Sequence, residues 1–83
     1  EENEQLTVQV SPNPSAYYFN LTVKSSAVSP VSVNVVDVAG RKVKRLKTTA
    51  NTISRFGDDL IPGTYFVEVI QGTEKKVIKI IKL

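Results

Sequence analysis

Val31-Ser32-Val33-Asn34-Val35-Val36-Asp37-Val38-Ala39-Gly40 decides the fold class of this chain. Valines at 31, 33 and 35 alternate with Ser32 and Asn34, the period-2 pattern of a strand with one buried face. The run stops at Asp37-Val38-Ala39-Gly40, which has Asp at the first and Gly at the fourth position of a type I turn. A strand that ends in a reversing turn needs antiparallel neighbours, and the flanking sequence supplies them.

Upstream, Leu6, Val8 and Val10 alternate with Thr7 and Gln9, and Phe19, Leu21 and Val23 with Asn20 and Thr22. Downstream, Tyr65, Val67 and Val69 share a face. Weaker strands are expected at 41–47, 52–57 and 74–82. Val, Thr and aromatic residues dominate these runs, as half-buried strands require. Helical spacing does not recur. The breaks fall between the runs. Ser11-Pro12-Asn13-Pro14-Ser15 cannot continue a ladder, because each proline lacks its N–H. Ile61-Pro62-Gly63-Thr64 fits a type II turn, and Gly72-Thr73 a two-residue loop of the II′ kind. About seven short strands at this spacing predict an all-β, immunoglobulin-like antiparallel β-sandwich. Its core is expected to include Val8, Leu21, Val33, Val35, Tyr65, Val67 and Ile80.

Two segments depart from simple alternation. Over 41–47 basic residues fill both faces, the pattern of a protected edge strand. The run Val77-Ile78-Lys79-Ile80-Ile81-Lys82-Leu83 is apolar on both faces. If Ile78 and Ile80 point inward, then Val77, Ile81 and Leu83 point out. A strand with one buried face does not need that second set, so either something outside the chain covers it or a bulge ends the strand. Lys75, Lys76, Lys79 and Lys82 add a basic rim, and this final strand is the expected recognition element.

Composition narrows the function. The chain of 83 residues is one domain at most, with 41% apolar residues and no cysteine, so no disulfide or thiolate metal site supports its core. The net charge of +3 conceals an acidic opening (Glu1, Glu2, Glu4), five cations between Arg41 and Lys47, and four lysines in the last ten residues. Positive charge without stacking aromatics is a poor nucleic-acid footprint, and no nucleic-acid partner is expected. No stretch approaches the ~20 apolar residues of a membrane span. The chain contains no methionine, so it reads as a processed product or part of a longer protein, with residues 1–5 as the end of a linker.

Catalytic inventory is thin. Without histidine or cysteine, Ser–His, Cys–His and Cys nucleophile arrangements are absent. Asp37 sits where a turn-initiating Asp bonds a nearby backbone N–H. Asp58-Asp59 lacks the spacing of a calcium loop and reads as a solvated loop. Asn20-Leu21-Thr22 matches a glycosylation triplet but lies within a strand. Tyr65, just after the Pro-Gly pair, reads as a core tyrosine whose hydroxyl ties down a corner. Of the neighbours Tyr17 and Tyr18, one must face outward. No catalytic residue, metal ligand or cofactor is expected.

Four boxes carry a resemblance. They are Val10-Ser11-Pro12-Asn13-Pro14, then Val35 to Val43 with Asp37, Gly40 and Arg41, then Leu60 to Val67 with Gly63 and Tyr65, and last Lys75 to Lys82 with Lys75, Lys76, Lys79, Ile81 and Lys82. In this order they resemble the type A C-terminal sorting domains of the type IX secretion system. The resemblance implies a sorting motif made of those residues, in a domain spanning 6–83 behind a cargo domain. Its implied partners are translocon components and a sortase-like peptidase. The implied route runs through the periplasm and across the outer membrane of a Gram-negative member of the Bacteroidota, to the cell surface or the medium. Two rivals stay open on the sequence alone. One is a carbohydrate- or surface-binding accessory module, for which Tyr17, Tyr18 and Phe66 are the candidate aromatics; the other is a structural Ig-like spacer.

Overall fold

A computed structural model describes residues 6–83; the acidic opening read as a linker end, residues 1–5, lies outside the described residues. Seven strands follow one another: β1 (Thr7–Ser11), β2 (Phe19–Lys24), β3 (Val31–Asp37), β4 (Lys42–Thr48), β5 (Thr52–Phe56), β6 (Gly63–Gln71) and β7 (Glu74–Lys82). All ladders are antiparallel, in a three-stranded sheet of order β1-β2-β5 and a four-stranded sheet of order β4-β3-β6-β7. This is the Ig-like sandwich that the alternation predicts.

The core forms where the two apolar faces meet. The first sheet contributes Val10, Phe19, Leu21, Val23 and Phe56, and the second Val31, Val33, Val35, Tyr65, Val67, Val69 and Ile80. Phe19 and Phe56 are cross-strand partners whose rings stack at 5.5 Å. Burying each of the valines stabilises the fold by about 1.5–3 kcal/mol before chain entropy is subtracted. Of the seven expected core residues, six are buried. Val8 is only half-buried and packs on the margin of the core, because it lies on an edge strand beside the slot between β1 and β7.

The turns follow the sequence with one exception. Gly40 N–H donates to the Asp37 carbonyl at 3.0 Å, and Asp37 N–H to the Arg41 carbonyl at 3.0 Å, the pattern of a type I turn closed by a bulge. Gln71 pairs with Glu74 across Gly72-Thr73, with Gly72 at φ +61° and Thr73 at negative φ, as a II′ loop demands. The expected type II turn at 61–64 does not form. Gly63 is close to extended, with φ +157°, and opens β6 opposite Lys82. The chain reverses earlier, where Leu60 N–H donates to the Gly57 carbonyl at 3.1 Å. Gly57, with φ +92°, supplies the left-handed residue that the sequence reading gave to Gly63.

Candidate functional site

The four boxes, far apart in sequence, converge at one end of the sandwich. That end gathers the β1–β2, β3–β4 and β5–β6 connections around the last residues of β7. Asp37 pairs with Tyr65, and Gly63 with Lys82. Asp37, Arg41, Gly63 and Tyr65 share the lining of a cleft of about 400 Å³. Lys75 and Lys76 lie at the far end of β7 and take no part in this cluster.

At the cluster, side chains satisfy backbone. Asn13 grips the free edge of β7. Its Nδ2 donates to the Lys79 carbonyl at 3.0 Å and its Oδ1 accepts from Ile81 N–H at 3.1 Å. One amide thus imitates a strand's pair of ladder bonds. Ser15 completes the clasp. Its N–H donates to the Ile81 carbonyl at 3.0 Å and its carbonyl accepts from Leu83 N–H at 2.9 Å, a single parallel bridge to Lys82. Pro12 and Pro14 flank Asn13 and lack N–H groups of their own, so neither can extend that ladder.

Asp37 organises the opposite hairpin. Its Oδ1 accepts from the N–H groups of Ala39 and Arg41, and its Oδ2 meets the Arg41 guanidinium at 2.9 Å. The bond from Arg41 N–H, with the side-chain bond and charge of Arg41, holds the Asp37 carboxyl below its ordinary pKa. The hydroxyl of Tyr65 donates to the Ile61 carbonyl at 2.7 Å, the corner tie expected of it. Asp59 pairs with Lys44 at 3.0 Å, and that bond is the main reason its pKa is lowered.

Lys82 corrects the sequence reading. The sequence predicts it on the basic rim with Lys75, Lys76 and Lys79, yet it is 5% exposed. Its ammonium donates to the Gly57 carbonyl at 2.5 Å and the Leu60 carbonyl at 2.9 Å. The reason is parity: Lys82 shares the inward face of β7 with Ile78 and Ile80. Ser15 and Gln71 were also missed. Both are buried, and Gln71 Nε2 donates to the carbonyls of Ala27 and Ser29.

The rest of β7 faces outward. Val77 is 52%, Ile81 38% and Leu83 63% exposed, with Lys79 among them. All nine β6–β7 pairs are in register, so no bulge ends the strand. Lys75 and Lys76 are exposed, and Lys75 lies 4.0 Å from Glu68. The tyrosines form no platform: Tyr17 is exposed, while Tyr18 carries the Arg55 guanidinium 3.8 Å above its ring.

Comparison with protein families gives one result that fits this geometry. The family described as the secretion system C-terminal sorting domain matches residues 9–83, and so takes in all four boxes. The chain belongs to the type IX secretion C-terminal sorting domains. Membership carries interaction with the secretion machinery and export toward the cell surface or the medium. A comparison with curated proteins finds no match. No helix among the described residues is long and apolar enough to cross a membrane. Among the same residues no three His, Cys, Asp or Glu side chains cluster as metal ligands. In this sorting domain most of the box residues build one end of the fold, whereas the outward side chains of β7 are left over from that construction.

Proposed function

We propose that this domain acts as a folded, non-catalytic export address at the C-terminus of a larger cargo, and that the translocon reads it through the outward face of β7. The observation that carries the reading is the exposed row Val77, Lys79, Ile81 and Leu83 on a strand whose other face already completes the core. Apolar side chains flanked by cations give a partner both buried area and salt-dependent steering. The cluster built by Pro12, Asn13, Pro14, Asp37, Gly40, Arg41, Gly63 and Tyr65 holds that strand in place. Lys75 and Lys76 extend the basic margin. The cargo lies on the N-terminal side. The route leads from the periplasm across the outer membrane of a Bacteroidota cell, where a sortase-like peptidase removes the domain.

The test is an inert reporter fused ahead of this chain in a host that has the secretion system. Lys79→Glu with Ile81→Ser changes two outward side chains and leaves the core intact. A folded double variant whose export falls at least about tenfold supports the reading, in line with the loss of one interface anchor. Export at the parent rate by a folded variant rejects β7 as the contact. Deleting residues 75–83 is a poor comparator, since it removes Ile80 and Lys82 and so unfolds the domain.

A further inference from the structure

The five cations between Arg41 and Lys47 have different environments. Arg41 folds back on Asp37, and Lys44 meets Asp59. Lys42, Arg45 and Lys47 stand on the outer face of the four-stranded sheet, opposite Val36, Asn34 and Ser32. With Ser32, Asn34 and Ile70 they line a shallow cleft of about 370 Å³. The register shift between Val35 and Val36 leaves Val43 as an extra residue. Without it, parity would turn Lys42 inward with Lys44 and Leu46. Among the described residues, none of the three cations has a carboxylate within salt-bridge distance.

Protection of an edge strand needs a charge, but not three on one face beside a cleft. The polar lining is rich in donors: two ammonium groups, a guanidinium, a hydroxyl and an amide. A carboxylate offers two coplanar oxygens and one charge, and a single Arg fork satisfies it. A phosphate monoester offers three oxygens and nearly two charges, and so engages several donors at once. Arg45 and Lys47 are two residues apart on one face, about 7 Å, and the row from Val36 to Ser32 spans about 13 Å. That length exceeds one phosphate and suits two, with Arg45 between them and Ile70 at the Lys47 end, across Ser32; Glu68, across Asn34 from Arg45, lies 4.0 Å from Lys75.

We propose that the Lys42–Arg45–Lys47 cleft binds a ligand carrying two phosphate groups. The site lies on β4, at the opposite edge of the sheet from β7, and does not rest on the export reading.

The experiment titrates the ¹⁵N-labelled 83-residue chain with fructose 1,6-bisphosphate and, separately, fructose 6-phosphate at constant ionic strength. The expected result is saturable shifts of the amides of Ser32, Asn34, Lys42 to Lys47 and Ile70, with the bisphosphate binding at least about tenfold tighter, the gain of a second charge-assisted contact. Arg45→Gln with Lys47→Gln should abolish that preference. Lys24→Gln with Arg55→Gln, which removes two cations from the other sheet, should leave it intact. Amide dispersion verifies that both variants remain folded. Vesicles bearing a bisphosphorylated lipid form a second arm that assigns the source: co-sedimentation points to a lipid headgroup, and its absence beside soluble binding points to a soluble phosphate ester. The proposal is overturned by shifts that do not saturate, by an equal response to tetraglutamate, or by equal losses in the two variants.

Discussion

Lys82 donates from its ammonium to the carbonyl oxygen of Leu60 at 2.9 Å, and so ties the end of β7 to the β5–β6 turn. The same nitrogen reaches the Gly57 carbonyl. No carboxylate among the described residues lies within salt-bridge distance of it. Lys82→Met keeps the stem and removes the donor, which strands the Leu60 carbonyl and leaves the Gly57 carbonyl with the Leu60 N–H bond alone. The expected cost is about 1–3 kcal/mol, whereas Lys79→Met should stay within about 0.5 kcal/mol, as exposed substitutions do. Urea midpoints compare the two. Equal losses would show that the ammonium contributes nothing to the turn.

Asn13→Ala removes the amide that covers Lys79 and Ile81 but leaves the two backbone bonds of Ser15. The change should therefore be local. The Ile81 amide is expected to exchange about fivefold faster, the scale of one net hydrogen bond. The Leu83 amide, held by Ser15, should change less. Uniform acceleration across β7 would mean that the clasp opens only with the whole domain.

The lowered pKa of Asp37 makes its contribution depend on pH. A group whose folded pKa is depressed stabilises the fold above its unfolded value, here 3.8, and loses that effect as pH falls through the folded value. Asp37→Asn removes the charge while keeping an acceptor. The stability gap between parent and variant should be widest near neutrality. It should begin to close below pH 3.8 and vanish once the folded carboxyl is protonated. A gap constant from pH 7 to pH 2 would contradict the assignment.

Gly57→Ala should be the costliest glycine substitution in the chain. A Cβ at Gly57 would sit 2.8 Å from Cδ2 of Phe19, a fully buried ring, at a φ of +92° that side chains resist. Strain and overpacking together predict a loss of about 2–5 kcal/mol. Gly72→Ala meets open space at φ +61° and should lose about 1 kcal/mol. Thermal midpoints of the two variants decide the order.

The strands were legible because the period-2 code is local. The run at 31–35 carried its own answer, as did the Asp37 turn and the Tyr65 corner. Lys82 was legible in principle: it shares parity with Ile78 and Ile80, but a lysine among lysines reads as solvated unless parity is allowed to outweigh charge. Gly57 was hidden by a louder neighbour. Pro62-Gly63 is a strong turn dipeptide, whereas the reason for Gly57 is the Phe19 ring, distant in sequence. Asn13 was legible as a loop and motif residue, but its grip on β7 was not. Its partners lie 66 and 68 residues away, and no spacing rule links a loop amide to the edge of the last strand.

The clasp also decides how the domain answers a mechanical load. Ser15 pairs with Lys82 in parallel, while Leu6 lies beside Glu74 at the other end of the same edge. Residue 6 and residue 83 therefore leave the sandwich at opposite ends. Tension applied between them pulls β1 and β7 past each other, and the Asn13 and Ser15 bonds share the force side by side instead of parting one after another. A domain tugged at residue 6 and residue 83 should thus hold until four hydrogen bonds fail together. The same domain gripped by a side loop and peeled would yield at lower force.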